Sequence, residues 1–93
     1  MRIIGYIKHP LHKVTVFKDG GRVSIKTENG HHEQVYKFRD GSGVENLAQA
    51  TAFADERYFA GVDRIFEEMA KLQWQSSDRQ KRQNREDEFP EIV

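Results

Sequence analysis

The sequence predicts a small α+β domain in which a four-stranded antiparallel β-meander is followed by a long or kinked helix packed on one face (ββββα). Short alternating segments separated by glycine-containing turns fill residues 1–40, which is typical of consecutive antiparallel strands. Apolar residues then recur at steps of three and four over residues 44–72, the period of one helix face. Residues 76–88 contain no apolar side chain. We therefore predict one domain over residues 1–74 and a disordered polar tail over residues 75–93.

Turn residues separate the predicted strands. The strands cover about residues 3–8, 13–18, 22–27 and 33–39. The segments Asp-Gly-Gly (19–21) and Asn-Gly (29–30) favour the positive φ angles of tight hairpins. Four strands joined in this way form a meander, which leaves one face of the sheet in water unless another element covers it.

A capping box predicts where the helix begins. In the segment Ser-Gly-Val-Glu (42–45) the serine hydroxyl is placed to accept from a backbone N–H while the glutamate reaches back, so we predict a start at Val44. A straight helix from there to residue 73 has a length of about 45 Å, more than twice that of a typical strand. It therefore either overhangs the sheet or breaks, and Asp55 and Gly61 place a break between Ala52 and Gly61.

Composition limits the classes of protein to which this chain can belong. It has 93 residues, no cysteine and a formal net charge of zero, which excludes disulfides and argues against strongly salt-driven nucleic-acid binding. No segment is long enough for a signal peptide or a membrane span, so we expect a soluble, cytoplasmic protein with no membrane partner. The charges are nevertheless sorted. Basic against acidic residues number 8 and 4 in residues 1–40, 3 and 6 in residues 41–75, and 4 and 5 in residues 76–93.

Cations gather on one predicted face of the sheet. If the alternating apolar residues of the strands point toward the helix, nine other positions point to water, and five of those are cationic. Cations interleaved with an aromatic ring are what single-stranded nucleic acid requires, for phosphate and for base stacking. The alternatives are an acidic protein partner, or charges that only keep the sheet soluble. The candidate binding face comprises Lys13, Phe17, Arg22, Lys26, Lys37 and Arg39.

Aromatic residues of the helix predict a second surface. Phe59, Phe66 and Trp74 fall partly off the main apolar stripe, and a four-stranded sheet covers only one side of a helix. We interpret them as a candidate interaction surface for self-association or for another protein. The alternative is a kinked helix that folds back and buries all three rings.

Four histidines are predicted to lie at one end of the sheet. In a meander the loops after the first and third strands share one end, so His9 and His12 are placed near His31 and His32. Imidazoles in this number are able to bind zinc or to respond to pH. Their spacing matches no closed metal site, and solvated loop histidines are the simpler interpretation. We therefore expect no metal and no cofactor.

The sequence contains no recognised catalytic motif. A nucleophile elbow, a phosphate-binding glycine loop and a metalloprotease helix are all absent. Helix carboxylates stand near basic residues, as at Glu67 and Lys71, which is typical of a solvated helix face. We therefore expect a protein that is not an enzyme. The apolar residues 89–93 are either a short docking motif or an incidental chain end.

The order of four strands and a helix resembles the single-stranded nucleic-acid-binding folds of the Pur-alpha and Whirly type. Residues 6–13 (Tyr-Ile-Lys-His-Pro-Leu-His-Lys) and 35–40 (Val-Tyr-Lys-Phe-Arg-Asp) also resemble small uncharacterised bacterial domains, a resemblance that covers most of residues 1–74. The first resemblance implies nucleic-acid binding and the second implies no activity. Because one fold hosts many functions, we predict a non-enzymatic binding module for an unknown protein partner or for self-association, with single-stranded nucleic acid as the alternative.

Overall fold

The strands and helices follow the predicted order. The structure, a computed structural model, describes residues 1–88, with side chains described for residues 1–84. One antiparallel sheet has the order β1-β2-β3-β4 and is followed by two helices, which confirms the predicted α+β meander. The elements are β1 Arg2–Ile7, β2 Lys13–Asp19, β3 Arg22–Glu28, β4 Glu33–Lys37, α1 Leu47–Phe53 and α2 Glu56–Glu88.

Two different turns join the last three strands. Asp19 pairs with Arg22, so Gly20 and Gly21 alone form the β2–β3 turn, and their φ angles of 57° and 89° are ones that glycine adopts without strain. The β3–β4 loop spans residues 29–32 and is two residues longer than the usual Asn-Gly hairpin. The Asn29 side chain closes this loop, because its Oδ1 atom accepts from the next two histidine N–H groups after Gly30, at 3.0 and 2.8 Å.

The core lies between the helices and the inner face of the sheet. The alternating apolar residues of the central strands are at most 2% exposed: Val14, Val16, Val23 and Ile25. Residues from β1, both helices and the segments next to α1 complete the same cluster: Ile7, Val44, Ala50, Ala54 and Phe59. On β4, Tyr36 faces the helices as predicted, with its ring centroid 5.8 Å from that of Tyr58. The sheet therefore presents one buried face and one open face.

The first helix begins later than predicted. The start at Val44 is wrong, because α1 begins after Asn46, whose Oδ1 atom accepts from the Gln49 N–H at 2.8 Å. The Gln49 side chain in turn accepts from the N–H of the residue before the cap, at 2.7 Å. The Ser42 hydroxyl accepts from the Val44 N–H at 3.3 Å, two residues later, so the predicted capping box forms a turn instead.

The predicted interruption of the helix is confirmed. α1 ends at Phe53 and α2 begins at Glu56, so the break lies within the predicted interval. Asp55 caps α2, because its Oδ1 atom accepts from the Tyr58 N–H at 2.9 Å. Gly61 lies inside α2 and not at the break.

α2 also overhangs the sheet. Its 33 residues span about 50 Å, whereas its aromatic contacts and hydrogen bonds to the sheet and its loops lie between Tyr58 and Gln73. The helix continues through residues 75–88, where the sequence predicted a disordered tail. The polar residues of this segment favour helix, and Asp78 and Arg82 form an i,i+4 ion pair at 3.0 Å. Residues 89–93, with the predicted docking motif, lie outside the described residues.

Candidate interaction surfaces

The face of the sheet that points away from the helices carries the predicted binding residues, and we call it the outer face. Strand register places its central residues in two rows. One row contains Tyr6, Thr15, Lys26 and Val35. The next row contains Ile3, Phe17, Ser24 and Lys37. Lys13 and Arg22 lie on the same face at opposite ends of the strands, and Arg39 follows the end of β4.

Both edge strands expose apolar residues on the outer face. Ile3 and Tyr6 on β1 and Val35 on β4 are 51%, 60% and 47% exposed. Thr15 also points outward, yet it is buried because Tyr6 and Lys26 flank it on the neighbouring strands. Large apolar side chains that are grouped in this way on one face mark a candidate binding surface.

Three carboxylates share the outer face with the predicted cations. Asp19 pairs with Arg22 at one end of the strands, and Glu28 pairs with Glu33 at the other. The predicted face omitted these acidic residues, partly because the predicted second and third strands ended one residue before Asp19 and Glu28. Three carboxylates against five cations leave an excess of two positive charges. The outer face is therefore mixed in charge and not uniformly cationic.

Lys26 is already engaged within its own chain. Its Nζ atom lies 3.4 Å from Glu28 Oε1, 3.9 Å from Glu33 Oε2 and 5.4 Å from the centroid of the Phe17 ring. The two carboxylates and the ring hold the ammonium group close to the sheet. Of the predicted cations at the centre of the outer face, Lys37 is exposed and takes part in no ion pair within the described part of the chain.

The predicted helix surface of Phe59, Phe66 and Trp74 is not one exposed surface. Phe59 and Phe66 are only 8% and 5% exposed, because the β1–β2 loop folds over them. The ring centroid of Phe59 lies 4.3 Å from that of His9, and that of Phe66 lies 5.4 Å from that of His12. Trp74 is 69% exposed. The two phenylalanines therefore belong to the packing of α2 on the sheet and its loops.

α2 exposes other apolar residues, which we call the α2 stripe: Ile65, Met69 and Leu72. Ile65 and Leu72 are seven residues apart and lie on one side of the helix. Trp74 lies about 200° around the helix from Leu72, at 3.6 residues per turn, and so is not part of the stripe. α2 thus has two small apolar areas on different sides.

The histidines of the two loops do not form one group of four: His9, His12 and His32 contact α2 or each other, and His31 is exposed. The rings of His9 and His12 stack with centroids 4.7 Å apart, and the His12 Nε2 atom lies 2.6 Å from Asp63 Oδ1. His32 Nε2 lies 2.5 Å from Gln73 Oε1. In residues 1–88 no group of three or more His, Asp or Glu is placed to hold a metal ion. His9, His12 and His32 thus have a structural role, since they join the loops to the helix.

Buried polar atoms lie where α2 crosses β3 and β4 near the loop that joins them. Thr27 and Gln34 pair across these strands, and Gln34 Nε2 donates to the Val62 carbonyl at 2.9 Å. The hydroxyls of Thr27 and Tyr58 are buried without a partner that meets hydrogen-bond geometry. Burial raises the pKa of the Tyr58 hydroxyl above its ordinary value, Thr27 acts in the opposite direction, and Tyr36 adds to the increase. The cluster is enclosed and does not open onto either candidate surface.

An open depression of about 470 Å³ lies between the β1–β2 and β3–β4 loops, next to Leu11, His31 and His32. No helix in the described range has the length and apolar character that crossing a membrane requires. Comparison with protein-family models, curated proteins and solved structures finds no match for this chain.

Proposed function

We propose that this protein is a non-enzymatic protein-interaction module whose binding surface is the outer face of the sheet. One observation carries the proposal: Ile3, Tyr6 and Val35 are exposed midway along the two edge strands of that face, with the Phe17 ring between them and charged residues of both signs at the strand ends. Exposed apolar residues bordered by charged ones are typical of a protein–protein interface. The charged rim supplies specificity, and the apolar residues supply the surface that leaves water on binding.

The mixed rim favours a protein partner over a polyanion. Nucleic-acid binding depends on a net positive surface that displaces counterions from phosphates. Here Asp19, Glu28 and Glu33 offset most of the positive charge, and the Lys26 ammonium group is held by two of these carboxylates. A protein partner has charges of both signs with which to match such a rim.

The outer face is also a broader surface than the α2 stripe. Four strands about 4.8 Å apart, each about six residues long at 3.3 Å per residue, give a footprint of about 19 by 20 Å. The α2 stripe offers two well-exposed residues, Ile65 and Leu72, on a single helix. The outer face therefore has the greater capacity to bury apolar area.

The test compares Tyr6→Asp, in the outer face, with Leu72→Asp, in the α2 stripe. Both residues are highly exposed, so both variants should fold, which circular dichroism checks. Association is measured by analytical ultracentrifugation and by quantifying proteins cross-linked to the chain in cells. We expect Tyr6→Asp to abolish association and Leu72→Asp to leave it intact. Association that is lost only in Leu72→Asp, or is kept by both variants, would contradict the proposal.

Single-stranded nucleic acid is the second candidate ligand for the same face. Tyr6 and Phe17 place two rings in adjacent rows, and Lys37 and Arg39 lie beside them without a described ion pair. On this alternative a short oligonucleotide binds at low salt, the affinity falls steeply as salt is added, and Lys37→Glu with Arg39→Glu abolishes binding. Lys18→Glu is the control, because that side chain lies off the outer face. Absence of binding at low salt would exclude this candidate.

A further inference from the structure

We propose that the outer face binds a second copy of this chain, with the two sheets face to face about a two-fold axis that runs across the strands. This inference rests on the proposed function, since it names the partner for the same surface. It is carried by the positions of the charged residues at the ends of three strands. The exposed apolar residues of the face alone do not specify a partner, whereas the arrangement of the charged residues does.

Each of these strands has opposite charges at its two ends on the outer face. The pairs are Lys13 and Asp19 on β2, Arg22 and Glu28 on β3, and Glu33 on β4 with Arg39 just after it. Because neighbouring strands are antiparallel, the lysine of β2 shares one end of the sheet with the two glutamates. The aspartate shares the other end with the two arginines. Each of these strands therefore has a positive charge at one end of the outer face and a negative charge at the other end.

A two-fold axis between the sheets and perpendicular to the strands reverses strand direction, so that each strand faces its own copy running the opposite way. Val16, Ile25 and Tyr36 form the row in the middle of these strands. An axis over that row places each outer-face residue of these strands opposite a residue of the second copy. The two residues are equally far from the row, on opposite sides of it along the strand. The resulting contacts are Lys13 with Asp19, Arg22 with Glu28, and Glu33 with Arg39, each formed twice. All six contacts join opposite charges.

The same operation brings the middle rows of the two faces together, with Tyr6 opposite Ile3 of the second copy. Sheets pack about 10 Å apart, which leaves room for side chains such as Tyr6, Phe17 and Val35 to interdigitate. Lys26 would lie opposite the small Ser24 of the second copy, while its ammonium group keeps the two carboxylates of its own chain. Lys37, the other cation of these rows, would lie opposite Val35 of the second copy.

The other face-to-face arrangement has its axis parallel to the strands. It places β2 over β3 and also matches Lys13 with Glu28 and Asp19 with Arg22. However, it brings Arg39 to the end of β1, where the N-terminal amine of Met1 lies near Asp19. That contact joins like charges. The axis across the strands exchanges the two ends of the sheet, so it brings Lys8, just after β1, opposite the Met1 amine of the second copy and also joins like charges there. Each arrangement thus has a like-charge contact at β1, and charge reversal on β3 distinguishes the two.

Charge reversal on β3 tests the arrangement, because β3 faces itself. In Arg22→Glu two carboxylates meet at each β3 contact, and in Glu28→Arg two guanidinium groups meet. We expect each single variant to dimerise at least tenfold more weakly than the wild type. An equimolar mixture of the two, or the double variant, restores opposite charges at both contacts and should recover dimerisation. Sedimentation velocity over micromolar to millimolar concentration suits an interface of this modest footprint.

The outcomes separate this inference from the proposed function. A strictly monomeric wild type overturns the second copy as partner, while cross-linked partners that Tyr6→Asp abolishes keep the proposed function. Single variants that weaken the dimer without recovery in the mixture overturn the axis across the strands and favour the parallel axis. A dimer that neither the charge variants nor Tyr6→Asp weaken overturns both proposals. Circular dichroism of each variant at low concentration confirms that the monomer is folded.

Discussion

Single polar side chains connect α2 to the sheet and its loops. Three such connections join residues that are 28 to 51 positions apart in sequence. They are Gln34 to the Val62 carbonyl, His12 to Asp63, and His32 to Gln73. The sequence indicates that the two loops share one end of the sheet, but no local pattern states which helix residue a loop histidine will meet. For the same reason the burial of Phe59 and Phe66 under the β1–β2 loop was not predictable.

The buried Tyr58 hydroxyl makes the free energy of unfolding depend on pH in the alkaline range. Burial raises its pKa above the ordinary value of 10.0, so the folded state keeps the proton after the unfolded chain begins to lose it. The free energy of unfolding is therefore unaffected below about pH 10 and falls as the pH rises further. We expect Tyr58→Phe to lose less stability than the wild type between about pH 8 and about pH 11, measured by urea unfolding.

Tyr6→Phe is the control for this measurement, because Tyr6 is an exposed tyrosine of the outer face. This variant should follow the wild type over the whole range of pH. At neutral pH Tyr58→Phe should change the free energy of unfolding by less than about 1 kcal/mol, since the hydroxyl that it removes has at most a poorly aligned hydrogen bond with Thr27 in the described part of the chain. Equal alkaline losses in all three proteins would contradict the role assigned to Tyr58.

At the scale of elements, local signals predicted the strands, the hairpins and the helix break. The alternation of apolar and polar residues, the turn glycines and the Asp55 cap each act over a few residues. They can therefore be recognised from the sequence without knowledge of the tertiary structure. The start of α1 was misplaced because two consecutive segments, 42–45 and 46–49, both resemble a capping box. Packing decides between them, because a helix that begins after Asn46 lets the Leu47 side chain approach β1 at Gly5.

Replacement of glycine by alanine should have opposite effects on the free energy of unfolding at two positions. A Cβ atom added at Gly5 would lie 2.5 Å from Leu47 Cδ2, so Gly5→Ala should lower the free energy of unfolding by about 1–2 kcal/mol. At Gly61 the nearest neighbour of an added Cβ atom is Arg64 Nη2 at 3.8 Å, and Gly61→Ala should raise stability by up to about 1 kcal/mol because alanine favours helix. Urea denaturation of dilute protein measures both effects. Changes of the same sign would contradict the packing described for α1 on β1.

At the scale of the whole molecule, the net charge is zero but the charged residues are arranged in an ordered way on the sheet. Sorting charges along the sequence predicted a cationic sheet face, and the strand register corrected this to a mixed face with opposite charges at the strand ends. The cations were legible from alternation alone. Asp19 and Glu28 were missed where strand boundaries are least certain, at the final residues of β2 and β3, whereas Glu33 was missed although it lies within the predicted fourth strand. These three carboxylates change the kind of partner that the surface suits.

The far part of α2 should be dispensable for folding. Residues 75–84 make their described hydrogen bonds and ion pairs within the helix, whereas contacts with the sheet and its loops end at Gln73. A chain of residues 1–74 should therefore keep the free energy of unfolding of the full chain within about 1 kcal/mol. A chain of residues 1–64 loses Phe66, which is buried, and should be destabilised by about 3–5 kcal/mol or fail to fold.

Urea denaturation at low protein concentration compares the three chains. Dilution matters, because α2 residues beyond the sheet are free to contact another molecule at high concentration. An isolated helical segment has little stability in water without packing, so amides of residues 75–84 should exchange with solvent far faster than those of residues 58–70. A loss of several kcal/mol on removing residues 75–93, or slow exchange in that segment, would mean that the far part of α2 packs on something. The helix overhang would then belong to the folded domain, and the predicted boundary at residue 74 would be wrong.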